Sequence, residues 1–266
     1  MPVTQHLIPE AEVSLTELCT LACAHCGFLV PKQPRPALKD VITELVNALA
    51  CLERNQIRIG SLALLGGEAT LVPSLLLSAL RIVSSSSVVG RVEVVTNGLS
   101  PKGLASDALQ HVDRLSLSDY TADGVLAKRW RDWLRRAGPD VEFVVRRHDS
   151  WDRFDDVVDL GVAGGQAAYE SCWYRRHCVT LERGRIFVCS RIPKLGADEQ
   201  GLHLGATTTR EEIVTYLHAP LAPKACRTCT PMAGLPSVVP GQQPDDRLVR
   251  LRRHALDWFE RNEVSE

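Results

Sequence analysis

Three of the nine cysteines lie close together near the start of the chain, in the segment CTLACAHC. Cys19, Cys23 and Cys26 have the spacing C-x3-C-x2-C, which places three thiols on one short loop. Three thiolates bound to a 4Fe-4S cube leave one iron open to a ligand that is not the protein. A zinc knot is the alternative, but zinc needs a fourth ligand, and His25 between the cysteines is poorly placed to reach the same ion. The spacing therefore favours a cluster.

A second group of cysteines lies late in the chain. Its members are Cys172, Cys178, Cys189, Cys226 and Cys229. The ninth cysteine, Cys51, falls in a predicted amphipathic helix and is interpreted as a packing residue. An odd number of cysteines, clustered at two ends of a chain without a signal-peptide pattern, indicates metal or redox chemistry rather than a disulfide framework.

The composition and charge exclude several classes of protein. A length of 266 residues predicts one large domain, or one domain with a small appendage. The 31 Lys and Arg residues against 32 Asp and Glu give a net charge of -1, so no global basic field exists for nucleic acid or an anionic membrane. The apolar stretches are shorter than the roughly 20 residues of a membrane span. We expect a cytoplasmic protein without nucleic-acid or membrane partners.

The elements that must position these cysteines are predicted as an α/β fold. Short apolar runs alternate with helical patterns from residue 11 to about 148, which is typical of βαβ units and a parallel sheet. Strands are predicted at Glu12 to Leu18, Ile57 to Leu65, Arg91 to Thr96, Asp113 to Leu117 and Val141 to Arg146, and helices at Leu38 to Arg54 and Asp123 to Ala137. The cysteine loop thus follows the first strand, at the end of the sheet where parallel barrels build their sites.

The pattern changes after Asp149, which predicts a second module. The segment VTLERGRIFVC predicts a β-hairpin that turns at Gly184, and Thr209 with Glu212 predicts a capping box at a helix start. A Pro- and Gly-rich loop and a closing amphipathic helix from Asp245 to Glu260 follow. We predict three segments: a core at 1–150, a cysteine-bearing module at 151–235, and a linker with a docking helix at 236–266.

The first cysteine motif resembles the signature of the radical S-adenosylmethionine (SAM) superfamily. In that family C-x3-C-x2-C follows the first strand of a partial βα barrel, and a Gly-Gly-Glu type motif ends the second strand. LALLGGEAT places Gly66, Gly67 and Glu68 at that position. The resemblance implies that the open iron binds SAM, that its cleavage yields a 5'-deoxyadenosyl radical, and that the Gly-Gly-Glu motif contacts the methionine amino group.

The resemblance also implies further cofactor contacts at strand ends. Thr96 and Asn97 end the third predicted strand, and Ser116 and Ser118 lie at the end of the fourth. Arg146 ends the fifth strand in FVVRRHD and is our candidate for binding an anionic group in the barrel mouth, with a surface salt bridge as the alternative.

The second cysteine group resembles the auxiliary-cluster modules of this superfamily. Cys172, Gly184 and Cys189 match the spacing C-x9-15-G-x4-C, and Cys226 with Cys229 completes a set of four. Since no cysteine follows Cys229, the resemblance is to the short "twitch" form with a single auxiliary 4Fe-4S cluster. Cys178 is then either an alternative ligand or a free thiol, and a free thiol beside a radical site is a candidate hydrogen-atom donor.

This layout is similar to that of small twitch-domain dehydrogenases and epimerases of antibiotic biosynthesis. The resemblance implies two 4Fe-4S clusters, SAM, a flavodoxin- or ferredoxin-type electron donor, and a small polar substrate such as an aminocyclitol, a sugar or a natural-product intermediate. Oxidation to a ketone or epimerisation is the expected reaction. Peptide modification is the second hypothesis, and a non-catalytic zinc or iron-sulfur binding module is the third.

Overall fold

The fold is built on one eight-stranded sheet. The structure, a computed structural model, describes residues 6–30, 40–121, 123–138, 140–154 and 158–263. The strands are β1 His6–Ser14, β2 Ile57–Leu65, β3 Val92–Thr96, β4 Arg114–Ser118, β5 Glu142–Arg146, β6 Cys178–Glu182, β7 Arg185–Phe187 and β8 Leu202–His203. Their order across the sheet is β5-β4-β3-β2-β1-β6-β7-β8.

Strands β1 to β5 are parallel neighbours in chain order. The helices between them are α1 Val41–Arg54, α2 Pro73–Ser84, α3 Ser106–Leu109 and α4 Val125–Ala137. The longer helices α1, α2 and α4 place an apolar face on the sheet, as α1 does with Leu45, Leu49 and Leu52. The predicted α/β class is confirmed, and the run of consecutive parallel strands is consistent with a partial barrel.

The predicted strand positions agree with the structure to within a residue or two, except for the first strand, which was predicted at Glu12 to Leu18 and spans His6–Ser14. Its early start was missed because Glu10 and Glu12 lie within the strand and interrupt its apolar pattern, and its last four predicted residues belong to the loop that follows. Helix α1 begins at Val41. Residues 38 and 39, where the predicted helix starts, lie outside the described residues.

The predicted hairpin extends the same sheet. β6 pairs in parallel with β1, and β7 pairs antiparallel with β6. Arg183 and Gly184 have φ values of 54° and 66°, which is the geometry of a two-residue type I′ turn and confirms the predicted turn at Gly184. A smaller core forms beside this hairpin from Tyr169, Phe187, Val188 and Ile192, with Cys189 and Cys226 packed against it.

The remaining helices carry the second cysteine group and close the chain. They are α5 Gly161–Ser171, α6 Trp173–His177, α7 Arg191–Lys194, α8 Arg210–Leu217 and α9 Arg247–Glu263, with 3-10 turns at Ala69–Leu71, Pro101–Gly103, Asp198–Gln200, Lys224–Thr228 and Thr230–Met232. Thr209 and Glu212 form the predicted capping box of α8. Ala255 and Phe259 of α9 are buried in the main core. No helix in the described residues is long and apolar enough to cross a membrane.

A buried ion pair joins the hairpin to α7. Lys194 Nζ lies 2.6 Å from Glu182 Oε2, and each side chain is 2% exposed. Glu17, two residues before the first cysteine, lies 3.9 Å from the same ammonium group. Removing one partner of such a pair leaves an uncompensated buried charge, so this contact fixes the hairpin module against the start of the cysteine loop.

Candidate active site

The three cysteines of the first motif lie together on the loop that follows β1. Cys23 is buried, and Cys19 and Cys26 are half-buried. Burial and the neighbouring thiols raise the pKa of Cys19 to about 12 and that of Cys23 to about 11. These raised pKa values favour the protonated thiol when no metal is bound. Metal binding reverses that preference, because a coordinating thiol is deprotonated outright.

N–H donors face all three sulfurs. Leu21 N donates to Cys19 Sγ over 3.4 Å, Gln243 Nε2 donates to Cys23 Sγ over 3.1 Å, and the backbone N–H groups of residues 28–30 oppose the burial-driven rise in the pKa of Cys26. Donors directed at sulfur favour the thiolate and are a feature of iron–sulfur sites. The loop therefore fits a cluster held by three thiolates.

The Gly-Gly-Glu loop packs directly against the cysteine loop. Gly67 N donates to Thr16 O and Glu68 N donates to Leu18 O, both over 2.7 Å. A Cβ atom on Gly67 would lie 2.3 Å from Leu18 O and 3.1 Å from the Cβ of Cys19. Glycine is needed here because only a residue without a side chain permits the two backbones to approach so closely.

Glu68 ties the Gly-Gly-Glu loop to the end of β3. Its side chain is buried and accepts hydrogen bonds from Thr70 N, Thr70 Oγ1, Thr96 Oγ1 and Asn97 N. Burial raises the pKa of Glu68, and these four donors oppose that rise. Asn97 in turn donates from Nδ2 to Thr20 Oγ1 over 3.0 Å, so three segments of the chain are locked together beside the cysteines.

A cavity of about 400 Å³ opens beside these motifs. Its wall includes the three cysteines, Gly66, Gly67, Glu68, Thr96, Asn97 and Ser118, and on the other side Tyr120, His148, Ser150, Trp151, Asp152, Phe154 and Tyr174. The structure thus brings six of the seven predicted cofactor-binding residues to one cavity. Ser116 is the exception, since it is fully buried in β4 and is not part of the wall.

Arg146 does not line this cavity. Its Nη2 lies 2.6 Å from Glu93 Oε1, on a strand two places away in the sheet, and the arginine side chain is 42% exposed. Arg147 pairs with the buried carboxylate of Asp119 over 2.6 Å. The salt bridge, the alternative to a catalytic role, is what the structure shows for Arg146, and we assign it no contact with substrate.

The five late cysteines interact with one another. Electrostatic interactions link Cys189 to Cys172 and Cys229, Cys226 to Cys172, Cys189 and Cys229, and Cys178 to Cys189. Cys178 lies on β6 beside carboxylates, and burial together with Glu12 and Glu10 raises its pKa.

Arg191 is a buried cation at this second group. Its side chain donates to Cys229, and its charge also lies near Cys189. Arg191 is 9% exposed, and its Nε has no hydrogen-bond partner within the described residues. A buried guanidinium beside thiols is suited to a site whose sulfurs carry negative charge, as the thiolates of a cluster do.

Across the described ranges, no three His, Cys, Asp or Glu side chains converge on one point, so the arrangement of the side chains does not identify a mononuclear metal site.

Sequence reasoning missed Gln243 and Arg191. Gln243 lies in the segment predicted as a linker, 220 residues from the cysteine that it contacts, and no local pattern marks such a contact. Arg191 follows Cys189 by two residues, so its position next to a predicted ligand was the available signal.

Comparison with known proteins finds a relative in sequence. No family model matches the chain. A GTP 3',8-cyclase from Stenotrophomonas maltophilia (strain R551-3) is 32% identical over 127 residues, which are 46% of this chain. The matched stretch spans 36% of the length of that relative. This identity supports the resemblance to the radical SAM superfamily that the two motifs indicate.

Among solved structures, this chain is similar to BtrN, crystallised in complex with AdoMet and 2-DOIA. The superposition covers 95% of this chain and 88% of that chain, with 13% sequence identity and a TM-score of 0.48.

Proposed function

We propose that this chain is a radical SAM enzyme whose radical-generating cluster is held by Cys19, Cys23 and Cys26. The observation that carries the proposal is the contact between the cysteine loop and the Gly-Gly-Glu loop at the wall of one cavity. When bound, the cluster and SAM supply a 5'-deoxyadenosyl radical that removes a hydrogen atom from the substrate.

The residues of the chain position these groups. Glu68 accepts from Thr96 and Asn97 and so holds the end of β3 against the Gly-Gly-Glu loop. Gly66 and Gly67 keep that loop free of side chains where it meets the cysteine loop. Ser118 lies on the cavity wall within hydrogen-bonding reach of Tyr120. These contacts keep the polar wall of the cavity in a fixed position relative to the three thiols.

We further propose that Cys172, Cys189, Cys226 and Cys229 hold an auxiliary 4Fe-4S cluster in a short twitch module. Removal of a hydrogen atom from a carbon that bears a hydroxyl gives a substrate radical. An auxiliary cluster held by these cysteines would supply the acceptor for the one further electron that such a radical must lose, together with its hydroxyl proton, to become a ketone. Epimerisation instead requires that a hydrogen atom return to the same carbon from the opposite face. Arg191 supports the first outcome, because its buried charge stabilises an added electron nearby.

The cavity supports a small polar substrate. Tyr120 and Trp151 form an edge-to-face pair with ring centroids 5.4 Å apart, and Tyr174 adds a third aromatic side chain. Such rings pack against the apolar faces of a sugar or cyclitol, while His148 and Asp152 offer hydrogen bonds to its hydroxyl or amino groups. We therefore propose that the substrate is an aminocyclitol, a sugar or a natural-product intermediate. We also propose that a flavodoxin- or ferredoxin-type protein donates the electron, and that the enzyme acts in the cytoplasm in antibiotic biosynthesis.

Iron content and SAM cleavage test the proposal together. Two 4Fe-4S clusters contain about eight irons per chain, and changing Cys19, Cys23 and Cys26 to Ala should leave about four. The intact protein should form 5'-deoxyadenosine from SAM under anaerobic reduction, and the triple variant should form none. Cys51→Ala is the matched control, since Cys51 is buried in α1 and should leave both measurements unchanged.

The substrate is then sought with cyclitols, sugars and nucleotides. GTP belongs in this set because the sequence relative is a GTP 3',8-cyclase. If the protein binds its full complement of iron and still never forms 5'-deoxyadenosine, the proposal that it is a radical SAM enzyme is refuted. If the intact protein binds about four irons and the triple variant binds none, the late cysteines hold no cluster. The proposed oxidation would then lack its electron acceptor.

A further inference from the structure

A segment near the C-terminus lies across the cysteine loop. Residues 236–244, here called the C-terminal strap, pair with the loop after β5 through Trp151 N to Val238 O and Val238 N to Trp151 O, at 2.9 and 2.8 Å. Gly241 packs on Tyr120, and Gln242 O accepts from Ala24 N over 2.9 Å. The strap therefore joins the substrate side of the cavity to the cysteine loop.

Gln243 is the residue of the strap that contacts a cluster ligand. Its Oε1 accepts from Ala22 N over 2.8 Å, and its Nε2 donates to Gly241 O over 2.7 Å and to Cys23 Sγ over 3.1 Å. These three bonds fix the orientation of the carboxamide, because a flipped amide would set N–H against N–H and oxygen against oxygen.

We propose that Gln243 is a positioning residue for the radical-generating cluster, fixing Cys23 and donating an N–H···S hydrogen bond to it. This inference rests on the proposed function. A hydrogen bond to a ligand sulfur withdraws electron density, stabilises the reduced cluster and raises its reduction potential. The same amide, through Ala22, holds the loop on which Cys23 lies.

The neighbouring glutamine provides a matched control. Gln242 contributes its backbone oxygen to Ala24, and its side chain is exposed. Replacing the Gln242 side chain should therefore leave the strap in place. Gln243→Leu removes all three bonds of the carboxamide at similar size, and Gln243→Glu keeps the acceptor for Ala22 but loses both donors.

The experiment compares Gln243→Leu, Gln243→Glu and Gln242→Leu in the fully reconstituted, full-length protein. EPR-monitored redox titration gives the potential of the cluster whose signal changes on addition of SAM. Pulsed ENDOR in D2O, with and without uniform 15N labelling, detects exchangeable protons and nitrogen near that cluster. Both Gln243 variants should show a more negative potential and lose one exchangeable-proton coupling, whereas Gln242→Leu should match the wild type.

The outcomes separate this inference from the function on which it rests. An unchanged potential and unchanged coupling in Gln243→Glu, with normal iron content, would overturn the role of Gln243 while leaving 5'-deoxyadenosine formation intact. If Gln243→Leu fails to fold, Gln243→Glu decides the question, because it retains the bond to Ala22. A wild-type protein without a SAM-responsive cluster would instead overturn the proposed function.

Discussion

Replacement of Gly67 by alanine tests whether contact between the two motifs positions the cofactor site. The added Cβ would lie 2.3 Å from Leu18 O, and real Cβ contacts are essentially never under 3.0 Å. The two backbones must therefore separate by about 0.7 Å or more. No flexible side chain is available to move aside, because the nearest atoms belong to the backbone of the cysteine loop.

The expected magnitudes follow from that separation. The bonds from Gly67 N to Thr16 O and from Glu68 N to Leu18 O, each 2.7 Å, would stretch to about 3.4 Å or more, past the usual range for an N–H···O bond. Two such bonds contribute about 2 kcal/mol together to the free energy of unfolding. A misplacement approaching 1 Å at a reacting centre lowers the rate by about 10²-fold, so 5'-deoxyadenosine formation should fall far more than folding stability.

The assay measures 5'-deoxyadenosine per loaded cluster, with thermal unfolding in parallel. Gly60→Ala is the control, because its Cβ would lie 2.6 Å from Pro9 O at the other end of β2. Overpacking at either site costs about 1–3 kcal/mol, so stability should fall in both variants. Only Gly67→Ala should slow SAM cleavage, and equal rates in the two variants would refute the reasoning.

Three further predictions concern the second module. Cys172→Ala should lower the iron content by about four per chain, and Cys178→Ala should leave it unchanged. The reverse result would show that Cys178, and not Cys172, is the cluster ligand. Lys194→Met should lower the free energy of unfolding by about 3–5 kcal/mol in denaturant titrations, since Glu182 stays buried without its cation. Arg191→Gln should make the auxiliary-cluster potential more negative in an EPR-monitored titration, and an unchanged potential would exclude an electrostatic role.

Local patterns predicted much of the fold because their causes are local. The hairpin turn at Gly184 and the capping box at Thr209 each depend on residues within a few positions, and both are as expected. The apolar runs of β2, β3 and β4 are largely buried and stand out for the same reason, whereas β5 is half-buried at the edge of the sheet. β1 was misplaced at both ends. Its start was missed because Glu10 and Glu12 lie within it, and the sequence does not show the polar partners that accommodate Glu12, such as Thr180.

The site was predictable where two motifs carry it and not where distant contacts complete it. The cysteine and Gly-Gly-Glu motifs meet as their strand positions imply, since neighbouring parallel strands end at the same edge. The ion pair of Arg146 was not predictable because its partner Glu93 lies on β3, and a sequence does not show which polar side chain across a sheet will pair with it.

One short helix, α7, carries a buried cation near each of the two cysteine groups. α7 begins two residues after Cys189 and carries Arg191 and Lys194 three positions apart. Arg191 faces the second cysteine group, while Lys194 pairs with Glu182 and lies near enough to Cys26 to oppose the burial-driven rise in its pKa. Buried cations beside both groups of thiols partly neutralise the negative charge of thiolate-bound clusters. One turn of helix therefore sets part of the electrostatic environment of both proposed clusters, so Lys194→Met and Arg191→Gln should alter different clusters although the two residues are neighbours.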